Sequence, residues 1–412
     1  MTSALQEAAT APSDPLDPVE ELGRVELVLR ASAMRDSLRH GLGLPRAAAC
    51  HVVDAKYEPG RRCTVLYASG DLYVTGVLPL GPDGAPPGGV VVAPGVHLWP
   101  FPDDPQLPGL RTATDGRSLA ASLGTEPPAL VRTSLLRYRP GRRVTLAVDV
   151  RSRRSTSRLV GKVYGDPAKA AAVHEEALAL WQAVGDGGPV AVPAPAGFVP
   201  EIPMVLWRRM PGIGLDQLLL GPSGLRHVHA AGRAVAALHA LPPLTRRRRS
   251  AIADLERFHV RVERVARVAP SLGDRLRSWA HELAALGEAF DDPAERPVHG
   301  DCKPSQLHVA TTRTWVLDFD NCGLGDPALD VGTFLASLRQ RGQQELERPF
   351  LEAYAGGAVP EELEHRVRWH QSLALLRKAM RAFARSPRSP VPAALTAAGR
   401  ACLDVKDPHG TG

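Results

Sequence analysis

One eight-residue segment occurs twice in the first 150 residues and constrains the fold more than any other feature of the chain. Tyr57-Glu-Pro-Gly-Arg-Arg-Cys-Thr64 and Tyr138-Arg-Pro-Gly-Arg-Arg-Val-Thr145 are identical at six of eight positions. Each copy lies between two runs with the alternating pattern of β-strands. Pro-Gly suits the two central positions of a type II turn, where the second residue needs a positive φ. The sequence therefore predicts two β-hairpins from a duplicated strand unit, each with two arginines at its tip.

Composition limits the class of protein. The 412 residues are enough for two or three domains, and 44% hydrophobic and 23% charged residues are globular values. The five cysteines form no CxxC pair, which excludes a zinc ribbon and a disulfide framework. Because neither a secretory signal nor a long apolar run is visible, we expect a cytoplasmic protein without membrane contact. The net charge of +6 is too small to require a nucleic-acid partner.

The order of the sequence patterns divides the chain into four parts. Residues 1–18 are small, acidic and rich in proline, which indicates a disordered tail. A helical pattern and three strand patterns follow, and residues 81–110, rich in Pro and Gly, indicate a connector. We predict an auxiliary α/β unit over 19–130, a strand-rich lobe over 131–211 and a mainly helical lobe over 212–403.

Two short segments carry the residue types that phosphoryl transfer requires. They are His299-Gly-Asp-Cys-Lys-Pro-Ser-Gln306 and Asp318-Phe-Asp-Asn-Cys-Gly-Leu-Gly-Asp-Pro-Ala-Leu-Asp330. The reaction needs a carboxylate that orients the acceptor hydroxyl and takes its proton, and oxygen ligands that hold a divalent metal. Asp301 fits the base, and Gln306 and Asp318 fit the metal ligands. A hairpin predicted between the segments returns the chain, so these three side chains are expected to converge.

These segments resemble the aminoglycoside phosphotransferase and choline kinase-like family. Its HGDxxxxN loop is matched by His299, Gly300 and Asp301, with Gln306 in place of Asn, and its second motif is matched by Asp318, Phe319, Gly325, Asp326, Pro327 and Asp330. The resemblance covers about residues 130–385. It implies an α+β, two-lobed protein-kinase-like fold, with an additional N-terminal α/β unit in this chain. It also implies ATP and Mg²⁺ as cofactors and a small-molecule hydroxyl acceptor as the partner.

The resemblance further implies roles for residues of the nucleotide site. Lys162, inside a strand pattern, is expected to bind the phosphates and to pair with Glu175 or Glu176; the sequence leaves open which. Backbone groups near Trp207 and Met210 are expected to meet adenine. Lys303 follows the base by two residues, and the resemblance to protein-kinase loops places it near the transferring phosphate.

The two repeat copies differ in whether they carry a lysine for the phosphates. Gly76 falls at about the position where the second copy has Lys162, so the first copy lacks a lysine for the phosphates. The second hairpin is expected to cover the phosphates, and Arg142 and Arg143 at its tip either reach them or lie in solvent.

Several other residues are interpreted as supports. His299 is expected to be buried and to position the loop, Cys302 to pack, and Asp326 and Asp330 to fix the catalytic loop by hydrogen bonds. Asp320 is the alternative metal ligand. The run Arg246–Arg249 is expected to be solvated; a nucleic-acid role lacks the interleaved aromatic residues that such sites use.

The favoured function is an ATP-dependent kinase that phosphorylates a hydroxyl of a sugar or sugar-like metabolite. Residues 366–412 contain nine Lys and Arg but two Asp, so they do not supply the carboxylates that a polycationic aminoglycoside needs, although glutamates precede them between 345 and 364. Gln306 and the extra N-terminal unit resemble maltokinase-like sugar kinases. Two alternatives stay open: an antibiotic (aminoglycoside-type) phosphotransferase, and a catalytically silent nucleotide-binding module, which has no need to keep Lys162, Asp301 and Asp318 together.

Overall fold

The computed structural model describes residues 16–43, 49–82, 84–124, 130–152, 155–187, 190–287, 295–310 and 313–403. The tail predicted over 1–18 falls mainly on residues outside this description. Its last two residues start the first helix: Asp17 is the N-cap and accepts a hydrogen bond from the Val19 amide at 2.9 Å, and Pro18 occupies the first helical position.

Two helices and a five-stranded antiparallel sheet form the first unit. The helices are α1 (Pro18–Leu29) and α2 (Ala31–Leu42). The strands are β1 (Cys50–Glu58), β2 (Arg62–Ser69), β3 (Leu72–Pro79), β4 (Val90–Val92) and β5 (Val96–Pro100), in the order β1-β2-β3-β5-β4. The prediction of a connector over 81–110 is wrong at this point, since β4 and β5 lie within it. These strands are so short that the Pro and Gly residues around them hide the alternating pattern.

A second unit repeats this arrangement. Its helices are α3 (Leu110–Thr114) and α4 (Gly116–Ser122), and a longer helix, α5 (Pro167–Val184), is inserted after the third strand. The strands are β6 (Leu130–Arg139), β7 (Arg143–Arg151), β8 (Thr156–Tyr164), β9 (Pro195–Val199) and β10 (Met204–Arg208), in the order β6-β7-β8-β10-β9. The strand order is that of the first sheet. The duplication therefore extends from the hairpin to a whole sheet with its preceding helix pair.

Both repeat motifs form the predicted hairpins. The turn glycines Gly60 and Gly141 have φ values of 69° and 66°. In each turn, the amide of the first arginine donates to the carbonyl three residues earlier, from Arg61 to Glu58 at 2.9 Å and from Arg142 to Arg139 at 3.0 Å. The tyrosine of each motif stabilises the hairpin by a hydrogen bond outside the turn. Its hydroxyl and the glycine amide donate to one buried carboxylate in each copy: Tyr57 and Gly60 to Glu21, both at 2.7 Å, and Tyr138 and Gly141 to Asp104, at 2.8 and 2.7 Å.

Strand pairing gives the alignment of the two copies. Thr64 pairs with Val77 in the first sheet, as Thr145 pairs with Lys162 in the second. The prediction that Gly76 falls at about the position of Lys162 holds to within one residue, since Gly76 aligns with Gly161, the glycine that precedes the lysine. The conclusion drawn from it holds, because Val77 is a buried apolar residue without a charge.

Each sheet packs one face against its own helix pair. Leu110, Ala113 and Leu119 of α3 and α4 are buried in one cluster with Val131 and Leu146 of the second sheet. Because these helices share a core with the second sheet, we propose a unit boundary between β5 and α3, earlier than residue 130.

The other face of the first sheet is buried against the second unit. Leu66 and Tyr73 belong to the hydrophobic cluster of the second unit. The hydroxyls of Thr75 and Tyr138 lie 3.0 Å apart within this interface. The first sheet therefore has no free face over this region.

The rest of the described chain is mainly helical. Its helices are α6 (Leu215–Leu218), α7 (Gly224–His239), α8 (Ala251–Val268), α9 (Pro270–Gly287), α10 (Ala328–Gln340), α11 (Glu347–Ala355), α12 (Glu361–Arg385) and α13 (Val391–Ala401). Two small sheets complete the lobe, one of β11 (Ile213–Gly214), β14 (Leu307–Val309) and β15 (Thr314–Val316), the other of β12 (Arg248–Arg249), β13 (Arg296–Val298) and β16 (Gly323–Gly325). No described helix is long and apolar enough to cross a membrane.

The first unit is anchored on this helical lobe. Arg267 of α8 forms an ion pair with Glu21, the carboxylate that also binds the first hairpin. On α12, the ring of Phe383 lies 5.9 Å from that of Tyr57, and Arg385 contacts Asp54 at 3.2 Å. The first unit thus bridges the second unit and α12.

Candidate active site

The loop that follows β13 is fixed by hydrogen bonds to a buried aspartate. Asp330, in the first turn of α10, accepts the amide hydrogens of His299 and Gly300. Gly300 has a φ of 75°, and a Cβ there would meet the carbonyl oxygen of Asn321 at 2.1 Å, so glycine is required. His299 is fully buried, and its Nε2 lies 2.7 Å from the Leu317 carbonyl oxygen. These contacts fit the positioning roles expected of His299 and Asp330.

Asp330 is itself fixed by a chain of buried side chains. His239 Nε2 lies 3.1 Å from its carboxylate, and His239 Nδ1 lies 2.9 Å from the Tyr354 hydroxyl. Burial raises the pKa of Asp330, but the hydrogen bond and charge of His239 outweigh it, so that the net pKa is lowered.

Asp326 has a different role from Asp330. It accepts the Ala328 amide at 2.9 Å and contacts His370 of α12 at 3.2 Å. Asp326 therefore caps the start of α10 and ties it to α12. The expectation that Asp326 fixes the catalytic loop by hydrogen bonds of its own is corrected, because Asp330 makes those bonds.

Asp301 follows Gly300 in this loop, and its carboxylate forms an ion pair with Lys303. Its Oδ2 is 2.5 Å from Lys303 Nζ. Burial raises the pKa of Asp301, but the Lys303 ammonium overcomes this effect and holds the pKa below its usual range. Asp301 is therefore a carboxylate at neutral pH, able to accept a hydrogen bond from a hydroxyl. Cys302 beside it is fully buried, and burial raises its pKa well above normal, in keeping with a packing role.

The hairpin of β14 and β15 brings Gln306 and Asp318 together. Leu307 pairs with Val316, and the Leu317 amide donates to the Gln306 carbonyl at 2.8 Å. Gln306 Nε2 then donates to Asp318 Oδ2 at 2.9 Å. Asp318 has a φ of 67°, and no other non-glycine residue in the described ranges has a positive φ. Such backbone strain is concentrated at functional sites.

Four nearly buried charges meet at Asp318. Lys162 Nζ lies 2.5 Å from Asp318 and 2.8 Å from Asp320, and Arg143 forms ion pairs with the same two carboxylates. The Tyr164 hydroxyl donates to Asp320 at 3.0 Å. Burial and, less strongly, the charge of Arg143 outweigh the opposing charge of Asp318, so that the pKa of Lys162 is lowered to about 8. Burial raises the pKa of Asp318, but Lys162 and Arg143 together hold it far below its usual range, so the carboxylate is ionised.

Strand geometry explains which residues of the second sheet reach this cluster. Arg143 pairs with Tyr164, and Thr145 with Lys162, across β7 and β8. Opposed residues share a face and alternate residues repeat it, so these four side chains lie on one face. Of the two alternatives left open for the arginines at the hairpin tip, Arg142 lies in solvent and Arg143 contacts Asp318, so the assignment of Arg142 to the nucleotide site is corrected. Tyr164 and its contact with Asp320 were missed, although the register of the hairpin would have indicated Tyr164.

The expected pair between Lys162 and a glutamate of α5 is not formed. Glu175 is exposed, and Glu176 contacts Arg247 at 3.1 Å and the Thr245 hydroxyl at 3.3 Å. The Lys162 ammonium is taken up by Asp318 and Asp320, and Arg247 neutralises Glu176. Arg247 also donates to the Cys322 carbonyl at 2.7 Å, so this part of the arginine run 246–249 is structural and not merely solvated.

The residues expected to meet adenine lie in the last part of β10 and just after it. Trp207 lies beside the cluster, with its ring centroid 5.3 Å from Lys162 Nζ. The amides of Arg208 and Arg209 donate to the carbonyls of Ala194 and Arg158, both at 2.9 Å. Met210, the next residue, is half-buried, and its amide has no hydrogen-bond partner among the described residues.

Comparison with solved structures shows the fold. A choline/ethanolamine kinase family protein from Mesorhizobium loti aligns with a TM-score of 0.50 and 16% identity, over 70% of this chain and 95% of its own. A thermostable mutant of aminoglycoside phosphotransferase APH(4)-Ia, solved with AMP-PNP and hygromycin B, aligns with a TM-score of 0.52 and 15% identity, over 70% of this chain and 98% of its own. The predicted kinase-like α+β fold is confirmed. No curated protein sequence matches the chain significantly.

The sequence also matches a known family over most of the two lobes. The phosphotransferase enzyme family APH matches residues 143–370, which is more than half of the chain. The match begins in the second hairpin and includes both catalytic segments, but it does not include the first unit. It confirms the predicted family and the prediction of a phosphotransferase. The chain belongs to the APH family of phosphotransferase enzymes.

Proposed function

We propose that this protein transfers the γ-phosphate of ATP, with Mg²⁺, to a hydroxyl of a sugar or sugar-like metabolite. The observation that carries the proposal is that the carboxylates of the two catalytic segments are both ionised and both paired with cations. Asp301 is held at neutral pH as a carboxylate beside Lys303, and Asp318 is held so beside Lys162 and Arg143. Each of the two carboxylates raises the pKa of Arg139, at the end of β6, so both lie near that end of the strand.

Asp301 is proposed as the group that receives the acceptor hydroxyl. Phosphoryl transfer has a loose transition state, so catalysis depends on positioning and on charge more than on a strong base. A carboxylate on a loop anchored by Asp330 suits this role, because its direction is fixed before the acceptor binds. Lys303 lies close enough to Asp301 to contact the phosphoryl group as it moves toward the acceptor.

Lys162 and Arg143 are proposed to bind the phosphates. Both cations are almost buried and are neutralised by Asp318 and Asp320. A triphosphate supplies the same negative charge from another direction, which releases carboxylate oxygen toward a metal.

The donors at Asp318 fit Mg²⁺, which prefers carboxylate and amide oxygens together with phosphates and water. Asp318 is ionised and in direct contact with Gln306, so a carboxylate and an amide side chain lie together at one point. An ion held by Asp318 and Gln306 would reduce the negative charge of the phosphates. Asp320 is a weaker candidate ligand, since its side chain is only 2% exposed, against 15% for Asp318.

The adenine is proposed to bind at Trp207 and Met210. The unpaired Met210 amide is a donor of the kind that a purine nitrogen accepts, and Trp207 offers an aromatic surface. A nucleotide of the ATP type is supported by the aminoglycoside phosphotransferase neighbour, which was solved with AMP-PNP.

The experiment is a screen for ADP release in the presence of sugars and aminoglycosides, with Asp301→Asn beside the parent chain. We expect a sugar-type acceptor to stimulate release, and Asp301→Asn to lower kcat at least about 10²-fold while AMP-PNP affinity stays nearly unchanged. Asp274→Asn on α9, whose side chain is 72% exposed, is the matched control and should retain full rate.

Three outcomes would contradict the proposal in different ways. Full turnover by Asp301→Asn would remove this residue from the reaction. Preferred phosphorylation of aminoglycosides would favour the antibiotic phosphotransferase. Nucleotide binding without any acceptor-dependent release would favour the silent binding module.

A further inference from the structure

Asp320 is a buried carboxylate of the candidate site to which the proposed reaction assigns no step. Its side chain is only 2% exposed. One oxygen, Oδ1, accepts hydrogen bonds from the Lys162 ammonium at 2.8 Å and from the Tyr164 hydroxyl at 3.0 Å. The other oxygen, Oδ2, forms an ion pair with Arg143. Because both oxygens have donors, the carboxylate is held in one orientation.

Strand β8 explains why Lys162 and Tyr164 reach the same oxygen. They are alternate residues of this strand, so their side chains lie on one face of the second sheet. The tyrosine hydroxyl therefore lies beside the ammonium and directs Oδ1 of Asp320 toward it.

Lys162 needs a carboxylate partner besides the proposed metal ligand. A buried ammonium without a partner is costly, and in the proposed function the charge of Asp318 serves Mg²⁺. Glu176 of α5 is not available, because it is paired with Arg247 at 3.1 Å. Among the described residues, Asp320 is then the carboxylate that stays in contact with the lysine.

The backbone that carries Asp320 is fixed as well. It lies in a short 3₁₀ turn, in which the Cys322 amide donates to the Phe319 carbonyl at 3.0 Å. The guanidinium of Arg247 donates to the carbonyls of Cys322 and Asp320, at 2.7 and 3.4 Å. The same guanidinium holds Glu176. The glutamate of α5 thus supports the turn of Asp320 and not the lysine itself.

We infer that Asp320 is the positioning residue of Lys162: it holds the ammonium where the phosphates are bound, and it is not a ligand of the metal. This inference rests on the proposed kinase function. Asp320 acts through the lysine and does not touch the nucleotide. A misplaced ammonium stabilises the charge of the transition state less well, so the loss of Asp320 falls on kcat.

The first experiment is a double-mutant cycle of Asp320→Asn and Lys162→Met, measured as ADP release with the acceptor that the screen identifies. Asp320→Asn keeps the size of the side chain but removes its charge. We expect kcat to fall at least about tenfold, while the Kd for AMP-PNP changes less than about threefold. In the Lys162→Met background, the same change should lower kcat less than about twofold, because no lysine is left to position. Asp149→Asn, exposed on β7, is the matched control and should keep the kcat of the parent.

Two further measurements separate positioning from a structural or a metal-binding role. If Asp320→Asn does not fold, Tyr164→Phe replaces it in the cycle, with an expected loss of about threefold that disappears in the Lys162→Met background. In Asp320→Asn, the Mg²⁺ concentration for half-maximal rate should equal that of the parent. Equal losses of kcat in both backgrounds, or a raised Mg²⁺ requirement, would overturn the inference.

Failure of the kinase function is recognised separately, as absence of ADP release with every acceptor. A crystal structure of the full chain with AMP-PNP and Mg²⁺ then decides the inference. We expect Lys162 in contact with Asp320, and the metal on Asp318 but not on Asp320. A metal bound by Asp320, or Lys162 paired with Glu176, would overturn the inference, as would a chain that takes up no nucleotide.

Discussion

The two sheets of this protein have the same strand order and the same hairpin motif, yet only the second carries the proposed site. On the face that bears Lys162, the second sheet has Arg143, Thr145 and Tyr164. The paired positions of the first sheet are Arg62, Thr64, Val77 and Pro79. The lysine and the tyrosine are replaced by two residues that cannot bind a phosphate or a carboxylate.

The packing of the two faces follows from this difference. In the second unit, α5 packs against the site face, and Asp318 binds Lys162 on that face. In the first unit, no described helix directly follows β3, and the corresponding face is buried against the second unit by Leu66 and Tyr73. An apolar face without a helix must be covered by another element, and here the neighbouring copy covers it.

Both copies keep the hydrogen bonds that fix the hairpin. The tyrosine and the turn glycine bind a buried carboxylate in each unit, so this part of the motif serves the fold and not the chemistry. The copies differ in where they are attached, since Glu21 also binds Arg267 of the helical lobe. We infer that the first copy now braces the catalytic lobe.

The largest expected difference between the sheets concerns activity. Lys162→Met should lower kcat/KM for ATP by about 10² to 10³-fold, because it removes a buried donor for the phosphates. Val77→Met, at the matched position of the first sheet, should leave kcat/KM within about twofold, since it only alters packing. Steady-state kinetics of both variants test this, and a comparable loss in Val77→Met would show that the first sheet takes part in catalysis.

The second difference concerns stability. Glu21→Ala should lower the free energy of unfolding by about 3 kcal/mol, because it leaves Arg267 and the hairpin donors unpaired. Asp104→Ala should cost about 1 to 2 kcal/mol, since no cation binds Asp104 among the described residues. Urea unfolding measures both, with the exposed Glu256→Ala as a control within about 0.5 kcal/mol. A larger loss of unfolding free energy in Asp104→Ala than in Glu21→Ala would contradict the inference that the first copy braces the helical lobe.

The smallest difference concerns two strand glycines. A Cβ at Gly76 would lie 2.8 Å from the rigid ring of Tyr67, so Gly76→Ala should destabilise the chain by about 1 to 2 kcal/mol. A Cβ at Gly161 would meet the flexible end of Met204, which is able to move, so Gly161→Ala should cost less than about 1 kcal/mol. Thermal unfolding of the pair ranks them, and an equal cost would show that Met204 is as rigid as Tyr67.

The sequence predicted what depends on local pattern. The hairpins, the kinase-like family and the approach of Gln306 to Asp318 all follow from motifs and from one short hairpin. Contacts across long separations were not predictable, because no local signal reports them. Arg143 reaches Asp320 across 177 residues, and Glu176 turns to Arg247 because Asp318 already satisfies Lys162. The alignment of Gly76 required strand pairing, which similarity of the motifs gives only to within one residue.

The central claim is that the second sheet alone forms a nucleotide site with the helical lobe. Calorimetric titration of the full chain with AMP-PNP and Mg²⁺ tests it most directly, with Lys162→Met and Val77→Met beside the parent. The account predicts one nucleotide per chain, with binding strongly weakened in Lys162→Met and unchanged in Val77→Met. Two nucleotides per chain, or binding that survives Lys162→Met and is lost in Val77→Met, would contradict it.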